Sequence, residues 1–172
     1  MARTYERSVD VPDIDVLDWE LVDELVALFT PYLKDPDAIT FWAEDSRGTH
    51  RHNDLVAFRT AIEAEPEQPK SLTVQAWDMA RAREFQVWWG PDRYRRGAKF
   101  ESPEESEVVY LAERTAALLS LARERRQRRL DEERPTSSLS TAKRFLYDQW
   151  VVTVGGGLLV VVIIAIVVAL TH

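Results

Sequence analysis

Two histidines, His50 and His52, lie one residue apart in the polar stretch "EDSRGTHRHND", with Asp45 and Asp54 beside them. In an extended chain, side chains two apart share one side. Two imidazoles and a carboxylate so arranged could ligate a metal or support catalysis. The competing reading is a polar turn with no chemistry. No further ligand joins the pair, because His172 stands at the other end of the chain. No residue is therefore assigned as catalytic, metal-ligating or cofactor-binding, and no cofactor is expected.

Other catalytic signatures are missing. Three of the six glycines fall in one apolar run near the C-terminus, which leaves Gly48, Gly90 and Gly97. Three scattered glycines cannot build a phosphate-cradling loop, and no G-x-S-x-G elbow occurs. No small-molecule ligand is evident. The chain has no cysteine, which removes disulfides and thiol chemistry.

Binding is the richer possibility. The segments 38–44, 71–77 and 83–89 read as strands, with Ile39 and Phe41, Leu72 and Val74, and Phe85 and Val87 in the apolar phase. The opposite phase holds Trp42, Trp77 and Trp88. Because strand side chains alternate between faces, each strand sends one tryptophan to its polar side. Pairing Val74 with Val87 also sets Thr73 opposite Trp88. Two readings stand: an aromatic patch for a protein partner, or core beneath a covering helix.

A second candidate is "RYRRGAK", with Arg93, Tyr94, Arg95, Arg96 and Lys99, and with Arg81 and Arg83 at the opposite hairpin end. Basic residues around an aromatic can hold phosphate backbones. They can also protect a solvated edge strand or meet headgroups or an acidic partner. Residues 1–122 carry 14 Lys+Arg against 24 Asp+Glu, a net charge of −10. That balance argues against a general nucleic-acid binder.

Several elements must hold these residues in place. "DWELVDELVALFTPYL" reads as a helix capped by Asp18, with Trp19, Val22, Leu25, Val26 and Phe29 on one stripe. "TYERSVDVPD" offers a short first strand. "NDLVAFRTAIEAE" is a second helix, with Asn53 as its expected cap. "DSRGTH" reads as a turn, "DMARA" as a hairpin connection, and "YRRGAKF" as a further strand. A long helix over 102–134 starts from Ser102, Pro103 and Glu105 in a capping box. Its apolar stripe (Val108, Leu111, Thr115, Leu118, Ala122) stops at Arg123, so the remainder is expected to project as a charged rod. The order predicts an α+β fold, a small, largely antiparallel sheet layered with helices.

The C-terminal run "VVTVGGGLLVVVIIAIVVAL" (151–170) holds twenty uncharged residues. Twenty helical residues span about 30 Å, the thickness of a bilayer core. Trp150 and Leu170 mark its ends, and Lys143 and Arg144 precede it, which by the positive-inside rule keeps the N-terminal body in the cytoplasm and the C-terminus on the far side. The expected organisation is a cytoplasmic domain (1–122), a charged helical extension (123–134), a linker (135–141), and a juxtamembrane segment with a transmembrane anchor (142–172). Arginine outnumbers lysine, which points to a GC-rich, bacterial genome. The function expected from sequence is a tail-anchored, single-pass membrane protein. Residues 151–170 would meet lipid, and the domain would act as an interaction or scaffold module for a protein partner or a homo-oligomer. The alternatives are a membrane-tethered enzyme or effector using the His50/His52 loop, and a small-ligand sensor.

Overall fold

The computed structural model describes residues 4–91 and 96–133. The chain parts into two units, residues 1–131 and 132–172. Of the second unit, only the last two residues of a helix are described. The first unit holds the sheet and the helices that cover it.

Six strands form one sheet: β1 (Tyr5–Val9), β2 (Ile39–Glu44), β3 (Thr49–His52), β4 (Ser71–Asp78), β5 (Arg83–Trp89) and β6 (Gly97–Ser102). Their spatial order is β1-β6-β5-β4-β2-β3, and every neighbouring pair is antiparallel. Three α-helices join them: α1 (Trp19–Phe29), α2 (Leu55–Glu63) and α3 (Glu105–Glu133).

The alternation of side chains decides the layering. Ile39, Phe41 and Ala43, Leu72, Val74 and Ala76, Phe85, Val87 and Trp89, and Ala98 and Phe100 are all buried on one face. The helices cover that face. Phe29 of α1 meets Phe85 and Phe100 at 5.6 and 6.3 Å between ring centroids, and Phe58 of α2 stacks on Phe41 at 5.5 Å. Such pairs add about 0.5–1.5 kcal/mol beyond their area burial. α3 contributes Val108, Leu111, Ala112, Thr115, Leu119 and Ala122.

The caps differ partly from expectation. Asp18 does cap α1, its Oδ1 accepting the Leu21 N–H at 3.0 Å. Asp54, rather than Asn53, caps α2 by accepting from the Ala57 N–H, while Asn53 accepts from the Thr40 hydroxyl at 3.3 Å. At α3, Ser102 Oγ accepts the Glu104 N–H and its hydroxyl donates to Glu107, so the Ser102 side chain meets Glu107 and not the expected Glu105. The expected turn at 45–50 is in fact the start of a hairpin. Asp45 accepts from the N–H groups of Arg47 and Gly48, and Gly48 adopts φ 151°, which a side chain would resist. β3 comes next, paired with β2 from Phe41↔His52 to Glu44↔Thr49.

Past Arg123, α3 does not leave the domain at once. Arg125 pairs with Asp18 at 3.2 Å and with Glu20 and Glu24. Arg126 pairs with Asp13 and Asp15, and Arg129 with Asp15. The acidic segment before α1 thus holds the basic part of α3. Trp89 pins the same segment, donating its indole N–H to the carbonyls of Asp15 and Val16.

The membrane expectation requires correction. Among the described residues no helix is long and apolar enough to cross a membrane. The longest, α3, is 29 residues and richly charged. Residues 151–170, with Lys143, Arg144, Trp150 and Leu170, lie outside the described residues. Twenty uncharged residues meet the length criterion for a span, but no spanning helix among the described residues supports it. The transmembrane helix of the expected fold class is withdrawn. With it go the tail-anchored and membrane-tethered functions, the single-pass topology with a cytoplasmic domain, and attachment to lipid through 151–170. What stands is an α+β domain with a six-stranded antiparallel sheet and three helices.

Arg83 marks how sheet and helices are locked. It sits in the inward phase of β5 at 8% exposure. Its guanidinium takes both carboxylate oxygens of Glu107 on α3, with Nε at 2.8 Å, and donates from Nη1 to the Tyr32 carbonyl at 2.9 Å. Removing one member of a buried pair strands the other charge, at a cost of about 3–5 kcal/mol. Arg83→Leu is therefore expected to lower stability by about 3 kcal/mol or more in urea unfolding. A loss under about 1 kcal/mol, the value of an exposed pair, would contradict the arrangement.

Candidate functional site: the helix-free face of the sheet

The other phase of every strand points away from the helices. It holds Thr40, Trp42 and Glu44 of β2, Ser71, Thr73, Gln75 and Trp77 of β4, Glu84, Gln86 and Trp88 of β5, and Gly97, Lys99 and Glu101 of β6. Apart from Thr40 and Gly97, all of these remain partly or largely exposed. No helix among the described residues lies over them.

The strand register sorts this face into rows. One row runs Arg51–Trp42–Thr73–Trp88–Gly97 across five strands. The next runs Thr40–Gln75–Gln86–Lys99–Ser8. The third runs Trp77–Glu84–Glu101–Glu6. Neighbouring strands are about 4.8 Å apart, so Trp42 and Trp88 spring from backbones about 10 Å apart with only Thr73 between them.

Each indole has its own support. Trp88 packs over Gly97, where a Cβ would run into its six-membered ring. That close approach explains why glycine stands there. Trp42 leans the other way, with the Arg51 guanidinium 5.1 Å from its ring centroid, a cation–π contact. The two indoles lean in opposite directions, with Thr73 in register between them and Gln75 in the next row. The Trp42 Nε1–H is buried and has no hydrogen-bond acceptor among the described residues. Trp77 is 56% exposed, an unusual state for an indole.

The third row is acidic. Gln75 donates to Glu84 at 3.0 Å, and the Lys99 ammonium meets Glu101 at 2.5 Å. The hydrogen bond to Glu101 holds the Lys99 pKa above its ordinary value against a desolvation that would lower it, and the charges of Glu101, Glu6 and Glu84 add to the effect. Glu84, Glu101 and Glu6 follow one another in register in the row beside Lys99.

The remaining expected site residues fall elsewhere. Arg93 and Arg95, with Tyr94, lie outside the described residues. Arg96 donates to the carbonyls of Gly90 and Pro91 and pairs with Asp13 at 2.8 Å, so it works in holding the N-terminal segment. Only Lys99 of that basic set joins the tryptophans. Arg83, expected at a basic hairpin end, is buried on the helix side. His50 and His52 share a side of β3, but it is the helix side. His52 packs against Phe58, and His50 Nε2 bonds Asp45 at 2.9 Å. That bond, with the N–H groups of Arg47 and Gly48, holds the Asp45 carboxyl below its ordinary value. The pair closes a hairpin. No group of three or more His, Asp or Glu side chains able to hold a metal ion occurs among the described residues.

No family model, curated protein or solved structure matches this chain. The face itself is the ground for a functional reading.

Adjacent Trp88 and Trp89 point to opposite faces, and Trp89 is fully buried. Trp77→Ala is expected to change stability by no more than about 0.5 kcal/mol, as at an ordinary surface position. Trp89→Ala is expected to cost about 3–5 kcal/mol. Urea unfolding of both variants checks this, and equal losses would mean that the face is covered.

Proposed function

We propose that this domain is a binding module that presents the helix-free face of its sheet to a protein partner. The observation that supports the reading most is that Trp42, Trp77 and Trp88 share one face with no covering helix among the described residues. Exposed tryptophan on a rigid element is a feature of binding hot spots, where a large ring is desolvated with little loss of side-chain freedom. A sheet pinned on its other face by three helices is such an element. Around the indoles stand Thr73, Gln75 and Gln86, hydroxyl and amide groups that can bond a partner's backbone. The reading carries no membrane attachment and assigns no reaction.

The test is differential capture. The full chain is crosslinked to its surroundings in cells beside a Trp77→Ala/Trp88→Ala variant and a control variant, Leu121→Ala, on the exposed side of α3. A specific partner is expected with the full chain and the control and is expected to fall at least about tenfold with the tryptophan variant, a loss of about 1.4 kcal/mol. Each variant's melting temperature is measured alongside. Partners captured equally by all three forms would place binding elsewhere on the molecule.

A further inference from the structure

The helix-free face has a direction built into it. The Trp42–Thr73–Trp88 row lies at one end. Four residues along β4, at Trp77, the face turns acidic. Side chains four apart on a strand are separated by about 13–14 Å. An extended segment that packs in the aligned manner of stacked sheets runs within about 30° of the strands beneath it. It shares their period, so its own residues i and i+4 fall on the same two rows.

The charge of the face narrows what can lie there. Among the described residues, Glu6, Glu44, Glu84 and Glu101 share it with Lys99 and Arg51, an excess of two negative charges in ordinary ionisation. The excess gathers at the row of Trp77. There an indole more than half exposed stands in register with Glu84, and Glu84 with Glu101. An exposed ring beside carboxylates attracts a cation twice, through the ring's negative face and through charge. The ammonium of Lys99 already shows this attraction, since it is drawn onto Glu101. Phosphate-bearing ligands meet the opposite field.

Resting on the reading of this face as a partner surface, we propose that it takes an extended peptide segment of a protein partner carrying an apolar residue and, four residues away, an arginine or lysine. The apolar side chain sits over Thr73 between Trp42 and Trp88. The cation sits at Trp77, Glu84 and Glu101, where it competes with Lys99. Gln75 and Gln86 lie between the two positions and offer amides to the ligand's backbone. A neutral oligosaccharide is the other ligand that tryptophan and amide groups could hold, and the experiment separates the two.

The full chain is titrated with an acetylated, amidated heptapeptide of serine and threonine bearing one leucine and, four residues on, one arginine. Indole fluorescence and calorimetry report binding. Replacing arginine by its neutral isostere citrulline, or moving it to the third position after leucine, is expected to weaken binding by about tenfold or more. Raising the salt is expected to weaken the arginine peptide and leave the citrulline peptide unchanged. On the protein, Glu84→Gln with Glu101→Gln is expected to lose the same factor, and Lys99→Gln to tighten binding, with melting temperatures held. No binding of the arginine peptide at about 1 mM overturns the proposal. So does equal binding of the citrulline peptide, or binding of cellohexaose or chitohexaose that survives the glutamate variants. If cellular capture depends on Trp77 and Trp88 but ignores Glu84→Gln/Glu101→Gln, the cationic segment is wrong while the partner surface stands. If the tryptophan variant changes neither capture nor peptide binding, both fail.

Discussion

All three helices pack on one face of a six-stranded sheet, and the rest of the structure depends on that one-sidedness. Each strand alternates, so each residue is committed either to a core of Phe41, Phe85, Phe100 and Trp89 or to the opposite surface. A slip of one residue in any pairing would exchange the two sets. Register is therefore fixed by the burial of one face, and the composition of the other face is carried along with it. Trp42, Thr73 and Trp88 line up because Phe41, Val74 and Val87 do.

Charge completes what apolar packing begins. Arg83 fixes β5 to α3 through Glu107, and Arg125 and Arg126 fix the far part of α3 to the segment before α1. Asp18 serves twice, as the cap of α1 and as a partner of Arg125. Arg125 and Arg126 thus set the charged end of α3 against the carboxylates of Asp13, Asp15 and Asp18. Much of the protein's charge therefore pairs inside the domain. What remains on the helix-free face is a smaller, localised acidic row.

The strands with strong apolar alternation are legible in the sequence. β2, β4 and β5 lie where Ile39–Phe41, Leu72–Val74 and Phe85–Val87 indicate, and the tryptophans follow from their phase. β3 is not legible, because Thr49–His52 has no apolar side chain and is a strand only through pairing with β2 and the turn at Asp45. The hold on α3 beyond Arg123 is also hidden. A stripe of apolar residues stops there, but ion pairs to residues distant in sequence do not show in periodicity. The basic stretch 93–99 reads as one set, whereas Arg96 and Lys99 separate onto different tasks. The acidic row of Glu6, Glu84 and Glu101 joins β1 to the distant strands β5 and β6, so no local pattern could reveal it. Gly97 gives a faint signal, a glycine inside a strand pattern, which often marks close approach by another group.

The openness of the tryptophan face is tested most directly by hydroxyl-radical footprinting of the full chain, read residue by residue by mass spectrometry. Trp77, at 56% exposure, is expected to oxidise fastest, Trp88 measurably, and its neighbour Trp89, at 0%, to resist until the protein unfolds. Protection of Trp77 and Trp88 to the level of Trp89 would contradict the account, because something would then cover the face on which it rests.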